Sequence, residues 1–375
     1  MKGRLWIGLL SLGILLGLVT AFRVFSTGFV LYAKTDILVW TMPLAAYIFF
    51  SLTSSGLAFV SSIPIVFGIK RYEPLEKRTV FLEIAVLMAG FVCLIMHLGS
   101  PLNVIYLLLS PNLASPLWWL AMLYGVYLAV LLASFWRIQT AQVSKTLSTL
   151  VFLIAIATST ALGWLLGLPD ARPAMNGSFL TVYFPLTAFA CGLAAVLLFS
   201  LAYARASGNP NPTSAAQADL YDEVAKVFGV VIGVTLVLFI WRAIIGGVSS
   251  SEVELGAFRR MMQSLSFQTE LWLGLVAPFV LMLIPSVRVT TWGKVLASLL
   301  LLVGMFAGRL EFILTAEIMP FGQLGEGVPQ FVSYLPTISE VLVALFGLAV
   351  MLLLYTLGER YLNLDGTQEK SEAGT

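Results

Sequence analysis

The sequence predicts an all-α integral membrane protein with about ten transmembrane helices. Of its 375 residues, 59% are apolar and only 11% are charged, and the mean hydropathy is +0.96. A soluble domain is about 25% charged, so this composition excludes a water-soluble globular protein. A spanning helix uses about 20 apolar residues, and ten such helices account for most of the chain.

Ten apolar windows follow one another, separated by charged or Pro/Gly-rich breaks. They cover residues 5–22, 37–67, 79–98, 115–136, 147–167, 179–204, 224–246, 264–286, 291–313 and 335–357. The first is interpreted as an uncleaved span, because no small-residue cleavage site follows it. With a cytoplasmic N-terminus, 14 of the 21 Lys and Arg residues lie on the inner side and seven on the outer side. This bias predicts that both termini are cytoplasmic.

A Pro/Asn/Gly-containing segment at 206–222 is interpreted as a linker after the sixth helix. Pro43–Tyr47 in the second window resembles Pro185–Phe189 in the sixth, and both helices are expected to run inwards. A duplication would give two parallel four-helix bundles, although five residues can also match by chance. The predicted divisions are 1–36 for a peripheral helix, 37–170 and 171–314 for the two bundles, and 315–375 for the last helix and tail.

Composition also excludes several kinds of chemistry. A net charge of +2 without a long basic run argues against a nucleic-acid partner. Cys93 and Cys191 are far apart and form no CxxC pair, so neither a disulfide framework nor iron–sulfur ligation is indicated. The single histidine, His97, excludes a bis-histidine haem within this chain. No metal site is expected here, and redox metals would have to come from a partner.

His97 is the first candidate functional residue. It ends the third window, just before Gly99 and Pro101, one turn from the expected outer surface. Histidine gains and loses a proton near neutral pH, so His97 is a candidate proton donor or acceptor. The alternative is a hydrogen-bonded interfacial histidine without chemistry.

Aromatic residues surround the same predicted outer level. Trp40 and Tyr47 lie in the second window, and Trp118 follows an uncharged loop at 103–111. The loop either lies in the membrane interface as part of an aromatic belt or covers a pocket. Aromatic walls with a few hydrogen-bonding groups suit a quinone headgroup, whose carbonyls need proton donors and whose ring needs apolar contacts.

Buried ionisable residues are the remaining candidates, because each costs about 2.5–3.5 kcal/mol in hydrocarbon. The second half contains one group at its outer end: Arg242, Glu270, Arg309, Glu311 and Glu340. These charges either form ion pairs that fix the helices or belong to a proton route. Glu83 lies nearer the inner side, where it either begins a proton path or extends to the interface.

Two ordered motifs carry a family resemblance. The first is Leu98-Gly99-Ser100-Pro101, followed by Leu107-Leu108-Leu109-Ser110-Pro111-Asn112 and Ser115-Pro116. The second is Gly308-Arg309-Leu310-Glu311, followed by Ser333-Tyr334-Leu335-Pro336-Thr337-Ile338-Ser339-Glu340. Together they resemble the ten-helix branch of the NrfD/polysulfide reductase membrane-subunit family, over about residues 37–357.

The resemblance implies two four-helix bundles with two peripheral helices, in a prokaryotic cytoplasmic membrane. It also implies menaquinone or ubiquinone as the cofactor, with no haem or iron–sulfur cluster in this chain. The expected partners are an iron–sulfur, ferredoxin-like subunit at the outer face and further redox subunits, such as a cytochrome c or a catalytic subunit. The surrounding membrane lipid is also a partner.

The resemblance places the quinone pocket in the first bundle. The expected binding residues are Trp40, Tyr47, Ser100, Asn103 and Trp118. Many family members have an acidic residue where this chain has His97, so the proton-transfer role is assigned to His97. Ser100 replaces a basic residue that is usual in the family. Further proton-transfer candidates are Glu83, Glu270, Arg309, Glu311 and Glu340.

The resulting functional hypothesis is a membrane subunit that exchanges electrons between the quinone pool and an iron–sulfur partner, together with proton transfer. Two alternatives remain. One is a secondary transporter, which predicts inverted repeats and broken helices at the membrane midplane. The other is a structural anchor of a redox complex without quinone chemistry.

Overall fold

The computed structural model describes residues 2–168, 178–206, 215–248, 252–317, 333–362 and 364. Within these residues, ten helices are long and apolar enough to cross a membrane, one for each predicted window. They are α1 Lys2–Thr27, α2 Met42–Ser61, α3 Glu73–His97, α4 Pro116–Gln139, α5 Lys145–Gly167, α6 Phe179–Ala206, α7 Ala215–Gly246, α8 Leu265–Leu283, α9 Thr291–Glu317 and α10 Ile338–Tyr361. The all-α membrane class is therefore confirmed.

Local sequence signals explain where several helices begin. Ser115 and Ser144 accept hydrogen bonds from the third residue of α4 and α5, so each satisfies a backbone N–H that the helix leaves unpaired. Pro43 and Pro116 lie in the first turns of α2 and α4, where the missing N–H costs nothing.

The second half of the predicted linker at 206–222 is helical. Residues 207–214 lie outside the described residues, whereas 215–222 already form the first turns of α7. The segment that begins Ala215-Ala216-Gln217-Ala218 consists of strong helix formers, which explains the early start of α7. The Asn and Pro residues that suggest a linker all precede it.

The ten helices form two four-helix bundles with two peripheral helices. In the first bundle, α2 contacts α3 and α5, and α4 contacts both α3 and α5. In the second, α6 contacts α7 and α9, while α8 contacts both α7 and α9. α10 packs on α3 and carries α1 on its outer side, where the Trp6 indole donates to the Thr356 hydroxyl at 3.1 Å. The predicted arrangement is confirmed.

The bundles meet along α2 and α6, which approach most closely at two glycines. A Cβ on Gly56 would overlap the backbone carbonyl of Ala188, and a Cβ on Gly192 would overlap the backbone of Gly56. The similar segments Pro43–Tyr47 and Pro185–Phe189 do not occupy equivalent positions in α2 and α6. Pro43 lies in the first turn of α2, whereas Pro185 lies inside α6.

We expect Gly56→Val to destabilise the protein by about 1–3 kcal/mol, because the added carbons would push α2 away from α6. Gly125→Val in α4 is the matched control, since a Cβ there would meet no atom within 4 Å. The measurement is the melting temperature of each variant in detergent. Equal melting temperatures for the two variants would mean that the close approach does not stabilise the fold.

The two ends of the molecule are distinguished by the residues that lie there. The His97 end is the one at which α3 ends and α2 begins, and the Lys70 end is the opposite one. The Lys/Arg bias predicts that the His97 end faces outwards.

Candidate functional site

His97 is the last residue of α3, because the chain becomes extended at Leu98 before the Gly99-Ser100-Pro101 sequence. The side chain is half-buried, and its Nδ1 atom is buried without a hydrogen-bond partner in the described part of the chain. The backbone carbonyl of His97 accepts from the Lys34 ammonium at 3.4 Å. A buried imidazole nitrogen with unused hydrogen-bonding capacity can serve a ligand.

Lys34 brings a cation to this end of the bundle. Its Nζ atom lies 3.6 Å from the centre of the Phe29 ring, a cation–π contact. Burial lowers the pKa of Lys34, while the nearby carboxylates of Glu340 and Glu317 act in the opposite direction.

Glu340 is fully buried and forms a capping box at the start of α10. Its Oε2 atom accepts from the Thr337 backbone N–H at 2.8 Å and from the Tyr334 hydroxyl at 3.1 Å, while Oε1 has no hydrogen-bond partner among the described residues. Burial, together with the Glu340 charge, raises the pKa of Tyr334, so its hydroxyl keeps its proton and remains a donor.

The segment before α2 and its first residue are hydrogen-bonded to a carboxylate and to a tyrosine hydroxyl. The backbone N–H of Trp40 donates to Glu317 at 2.8 Å, and the backbone N–H of Met42 donates to the Tyr334 hydroxyl at 3.0 Å. Thr41, between them, is fully buried, and its hydroxyl has no hydrogen-bond partner in the described ranges. We call this group the His97 cluster; its residues are Lys34, Trp40, Thr41, His97, Glu317, Tyr334 and Glu340.

The cluster combines predicted and unpredicted residues. His97, Trp40 and Glu340 are candidates from the sequence. The grouping of Glu340 with the charges of the second bundle is wrong, because α10 packs on α3 and places Glu340 beside α2. The site residues that the sequence does not indicate are Lys34, Thr41, Glu317 and Tyr334. Tyr334 and Glu340 do lie in one sequence motif, the only signal that could have indicated their contact.

Tyr47 lies deeper in the first bundle and is buried. Its ring packs edge-on against Tyr124 of α4, with ring centres 6.1 Å apart, and Tyr124 in turn packs against Tyr127 at 6.4 Å. The predicted aromatic wall is therefore made by α2 together with α4, and it continues away from the His97 end.

Glu83 lies below this aromatic wall and is fully buried. The Tyr127 hydroxyl donates to one carboxylate oxygen at 2.7 Å, and the Ser61 hydroxyl donates to the other at 3.2 Å. The expectation that Glu83 extends to the interface is therefore wrong: hydroxyl groups inside the bundle satisfy it. Glu83 is about 21 Å from His97 along α3.

Three of the predicted quinone-binding residues, Ser100, Asn103 and Trp118, lie apart from the buried groups described above. The Trp118 indole donates to the Leu107 carbonyl at 2.7 Å, and its ring packs against Trp119, so this residue fastens the loop to α4. The side chains of Ser100 and Asn103 are exposed at the surface, and nothing places them beside Tyr47.

The predicted charges of the second bundle form two groups. Arg242 and Glu311 are an ion pair at 3.2 Å, with the Thr315 hydroxyl donating to Glu311 at 2.6 Å. Tyr183 donates to the fully buried Glu270 at 3.0 Å, and the fully buried Arg309 donates to Thr187 at 2.5 Å. The expected ion pairing is thus present for Arg242 and Glu311.

Glu270 lies in an unusual stretch of helix. Residues Thr269–Val276 of α8 form a π-helix, a feature that is frequent at functional sites. Gly308 of α9 faces it, and a Cβ there would overlap the Glu270 carboxylate. One oxygen of Glu270 and two nitrogens of Arg309 are buried without hydrogen-bond partners among the residues described.

Metal ligation is not seen in the part of the chain that the structure describes. No group of three His, Cys, Asp or Glu residues there could hold a metal ion, and Cys93 and Cys191 are free and buried.

Comparison with known proteins identifies the family. The model of the family described as polysulphide reductase, NrfD, matches residues 30–320. A selenate reductase subunit of Mesobacillus selenatarsenatis is 28% identical over 156 residues, which are 40% of this chain and 37% of that protein. A putative dimethyl sulfoxide reductase membrane subunit of Halobacterium salinarum is 25% identical over 126 residues, which are 33% of this chain and 29% of that protein. The alignments thus cover about a third of each relative, whereas the family model matches most of this chain; the chain belongs to the NrfD family.

Proposed function

We propose that this chain is the quinone-reactive membrane subunit of a respiratory oxidoreductase complex, and that it exchanges electrons between menaquinone or ubiquinone and an iron–sulfur partner subunit. Membership of the NrfD family supports the proposal, as do two relatives described as subunits of reductases. We further propose a prokaryotic cytoplasmic membrane as the location, with the His97 end facing outwards.

The observation that carries the proposal is the set of unsatisfied polar atoms in the His97 cluster. His97 Nδ1, Thr41 Oγ1 and Glu340 Oε1 are all buried, and none has a hydrogen-bond partner in the described part of the chain. Unpaired buried polar atoms cost about 1–3 kcal/mol each. A quinone supplies two oxygens that accept hydrogen bonds, and a quinol supplies two hydroxyls that also donate them, so this donor and acceptor set is suited to either form.

Three residues of the cluster, together with the deeper Tyr47, then have roles. His97 holds the proton that is given to, or taken from, a quinone oxygen. Lys34 provides a positive charge beside it, and Trp40 and Tyr47 provide apolar walls. When bound, the quinone accepts two electrons and two protons to become quinol, or releases them in the reverse direction.

The electrons must leave through a partner. Exposed apolar side chains on the loop and helix start at the His97 end offer it a docking surface; they are Leu102, Tyr106, Leu109, Leu113 and Trp119. The partner would bring an iron–sulfur cluster close to the quinone, and further redox subunits, a cytochrome c or a catalytic subunit, would connect it to the terminal reaction.

The test is the quinone content of the purified protein with its co-isolated partners. We expect near-stoichiometric quinone in organic extracts of the unaltered protein and a loss of at least tenfold in His97→Ala, because the variant removes the imidazole that would hydrogen-bond a quinone oxygen. Arg23→Gln is the control, since Arg23 is an exposed residue of α1. Retention of both quinone and quinone-dependent turnover by His97→Ala would favour the structural-anchor hypothesis instead.

A further inference from the structure

A groove opens on the side of the second bundle, and none of the residues of the His97 cluster lines it. It has a volume of about 680 Å³ and lies between the end of α7, the start of α8 and the connecting helix Glu252–Gln263. Its walls include Ile240, Ile244, Leu271 and Trp272. Ile240, Ile244 and Trp272 are each about half exposed, so they face the surroundings of the protein and not its core.

The position of the groove along the helices restricts what can enter it. The lining residues of α7 belong to its last two turns and those of α8 to its first two, which corresponds to about 10 Å of depth at one edge of the membrane. Trp241 and Trp272 are both exposed at this level, where tryptophan marks the boundary between lipid and water. An occupant therefore comes from within the membrane and has an apolar part and a polar part.

The polar rim of the groove is cationic. Arg259 lines it from the connecting helix and is exposed, and it has no ion-pair partner in the described part of the chain. The lining includes no Asp or Glu among the described residues. Gln268 cannot take the place of Arg259, because its amide already donates to the Met262 carbonyl at 2.6 Å and accepts from the Trp272 indole at 2.9 Å.

We propose that this groove binds an anionic phospholipid, with its phosphate on Arg259 and one acyl chain along Ile240, Ile244 and Leu271. A guanidinium binds phosphate oxygens through paired, charge-assisted hydrogen bonds. Ile244 and Ile240 line the groove at increasing distance from the end of α7, so its apolar wall extends towards the middle of this span, the direction expected for an acyl chain. This inference is independent of the proposed quinone chemistry.

Lipid binding has a consequence for the fold. The connecting helix also carries Met261, whose sulfur accepts from Arg242 at 3.4 Å, and Arg242 is the partner of Glu311. A lipid that bridges the connecting helix to α7 and α8 would hold Met261 against this ion pair. Since a ligand that binds only the folded state stabilises it, anionic lipid is expected to raise the melting temperature.

The experiment uses the full chain with its co-isolated partners in mild detergent. It titrates phosphatidylglycerol, with phosphatidylcholine as the zwitterionic reference, and measures bound lipid by native mass spectrometry and melting temperature in parallel. We expect preferential binding of phosphatidylglycerol, reduced about tenfold or more in Arg259→Gln. Arg260 keeps its charge in this variant, so a loss would locate the phosphate on Arg259.

A second variant, Ala243→Trp, fills the groove without removing the charge and is expected to abolish the same binding. The controls are Arg23→Gln, an exposed arginine of α1, and Ala133→Trp, an exposed alanine of α4. The proposal would be overturned by equal affinity for the two lipids or by unchanged phosphatidylglycerol binding in both groove variants. It would also be overturned if the groove variants lost bound quinone and kept bound phospholipid. A changed quinone content in His97→Ala does not bear on it.

Discussion

Replacing Arg242 with methionine is expected to lower the free energy of unfolding by about 3–5 kcal/mol, because it leaves a buried carboxylate without its cation. Glu311 is 2% exposed and pairs with Arg242 at 3.2 Å. The Thr315 hydroxyl remains as a hydrogen-bond donor to Glu311, but it carries no charge. The guanidinium also lies 4.1 Å from the centre of the Phe312 ring, a contact that methionine keeps only in part.

The measurement is unfolding by titration with a denaturing detergent in mixed micelles. The matched control is Arg71→Met, which removes one half of an exposed ion pair: the side chains of Arg71 and Glu223 are 51% and 34% exposed and 2.5 Å apart. Exposed pairs are worth about 0–1 kcal/mol. The double variant Arg242→Met/Glu311→Gln is expected to recover most of the lost stability, because no charge is left unpaired. A single variant no more damaging than Arg71→Met would mean that the buried Arg242–Glu311 pair stabilises the protein no more than an exposed pair does.

Most of the fold was predictable from the sequence, because a membrane span needs only length and apolar content. Each of the ten windows corresponds to a helix; α7 begins nine residues before its window, and the other boundaries are shifted by at most six residues. The shape of α8 was not predictable. Its π-helix at Thr269–Val276 has the same apolar character as an α-helix. Gly274 lies within it and Pro278 follows it, but neither residue is specific to a π-helix.

The candidate site was predictable only in part. His97 and Glu340 stand out in the sequence because ionisable residues are rare in spans. Their neighbours do not, because contact between them depends on how the helices pack. Lys34 lies between the first two windows, and from the sequence alone it is only one of the cations expected on the outer side. In the structure, the segment before α2 places its ammonium against the His97 carbonyl. The grouping of Glu340 fails for the same reason, since position in the chain does not determine which helix α10 contacts.

The first bundle contains a row of packed tyrosine rings that ends at a carboxylate. The rings of Tyr47, Tyr124 and Tyr127 pack one against the next, the Tyr127 hydroxyl donates to Glu83, and the Ser61 hydroxyl donates to Glu83 from the side of the Lys70 end. Hydroxyl groups can both give and accept a proton, and a buried carboxylate is a common relay in membrane proteins. We therefore propose that Glu83 transfers protons between the Lys70 end and the quinone site.

Glu83→Gln is expected to lower proton-coupled quinone turnover by about 100-fold, because glutamine does not carry a proton. Its size is that of glutamate, and it can still bond both neighbours, since its oxygen accepts from one hydroxyl and its NH2 group donates to the other. Quinone content should stay unchanged, since Glu83 lies about 21 Å from His97 along α3. The measurement is proton uptake per electron transferred in sealed vesicles. Glu73→Gln is the matched control, because Glu73 is an exposed residue of the same helix. Unchanged turnover and unchanged proton uptake in Glu83→Gln would show that the carboxylate serves only to bind Tyr127 and Ser61. Lost turnover together with lost quinone would instead mean that the first bundle had been distorted.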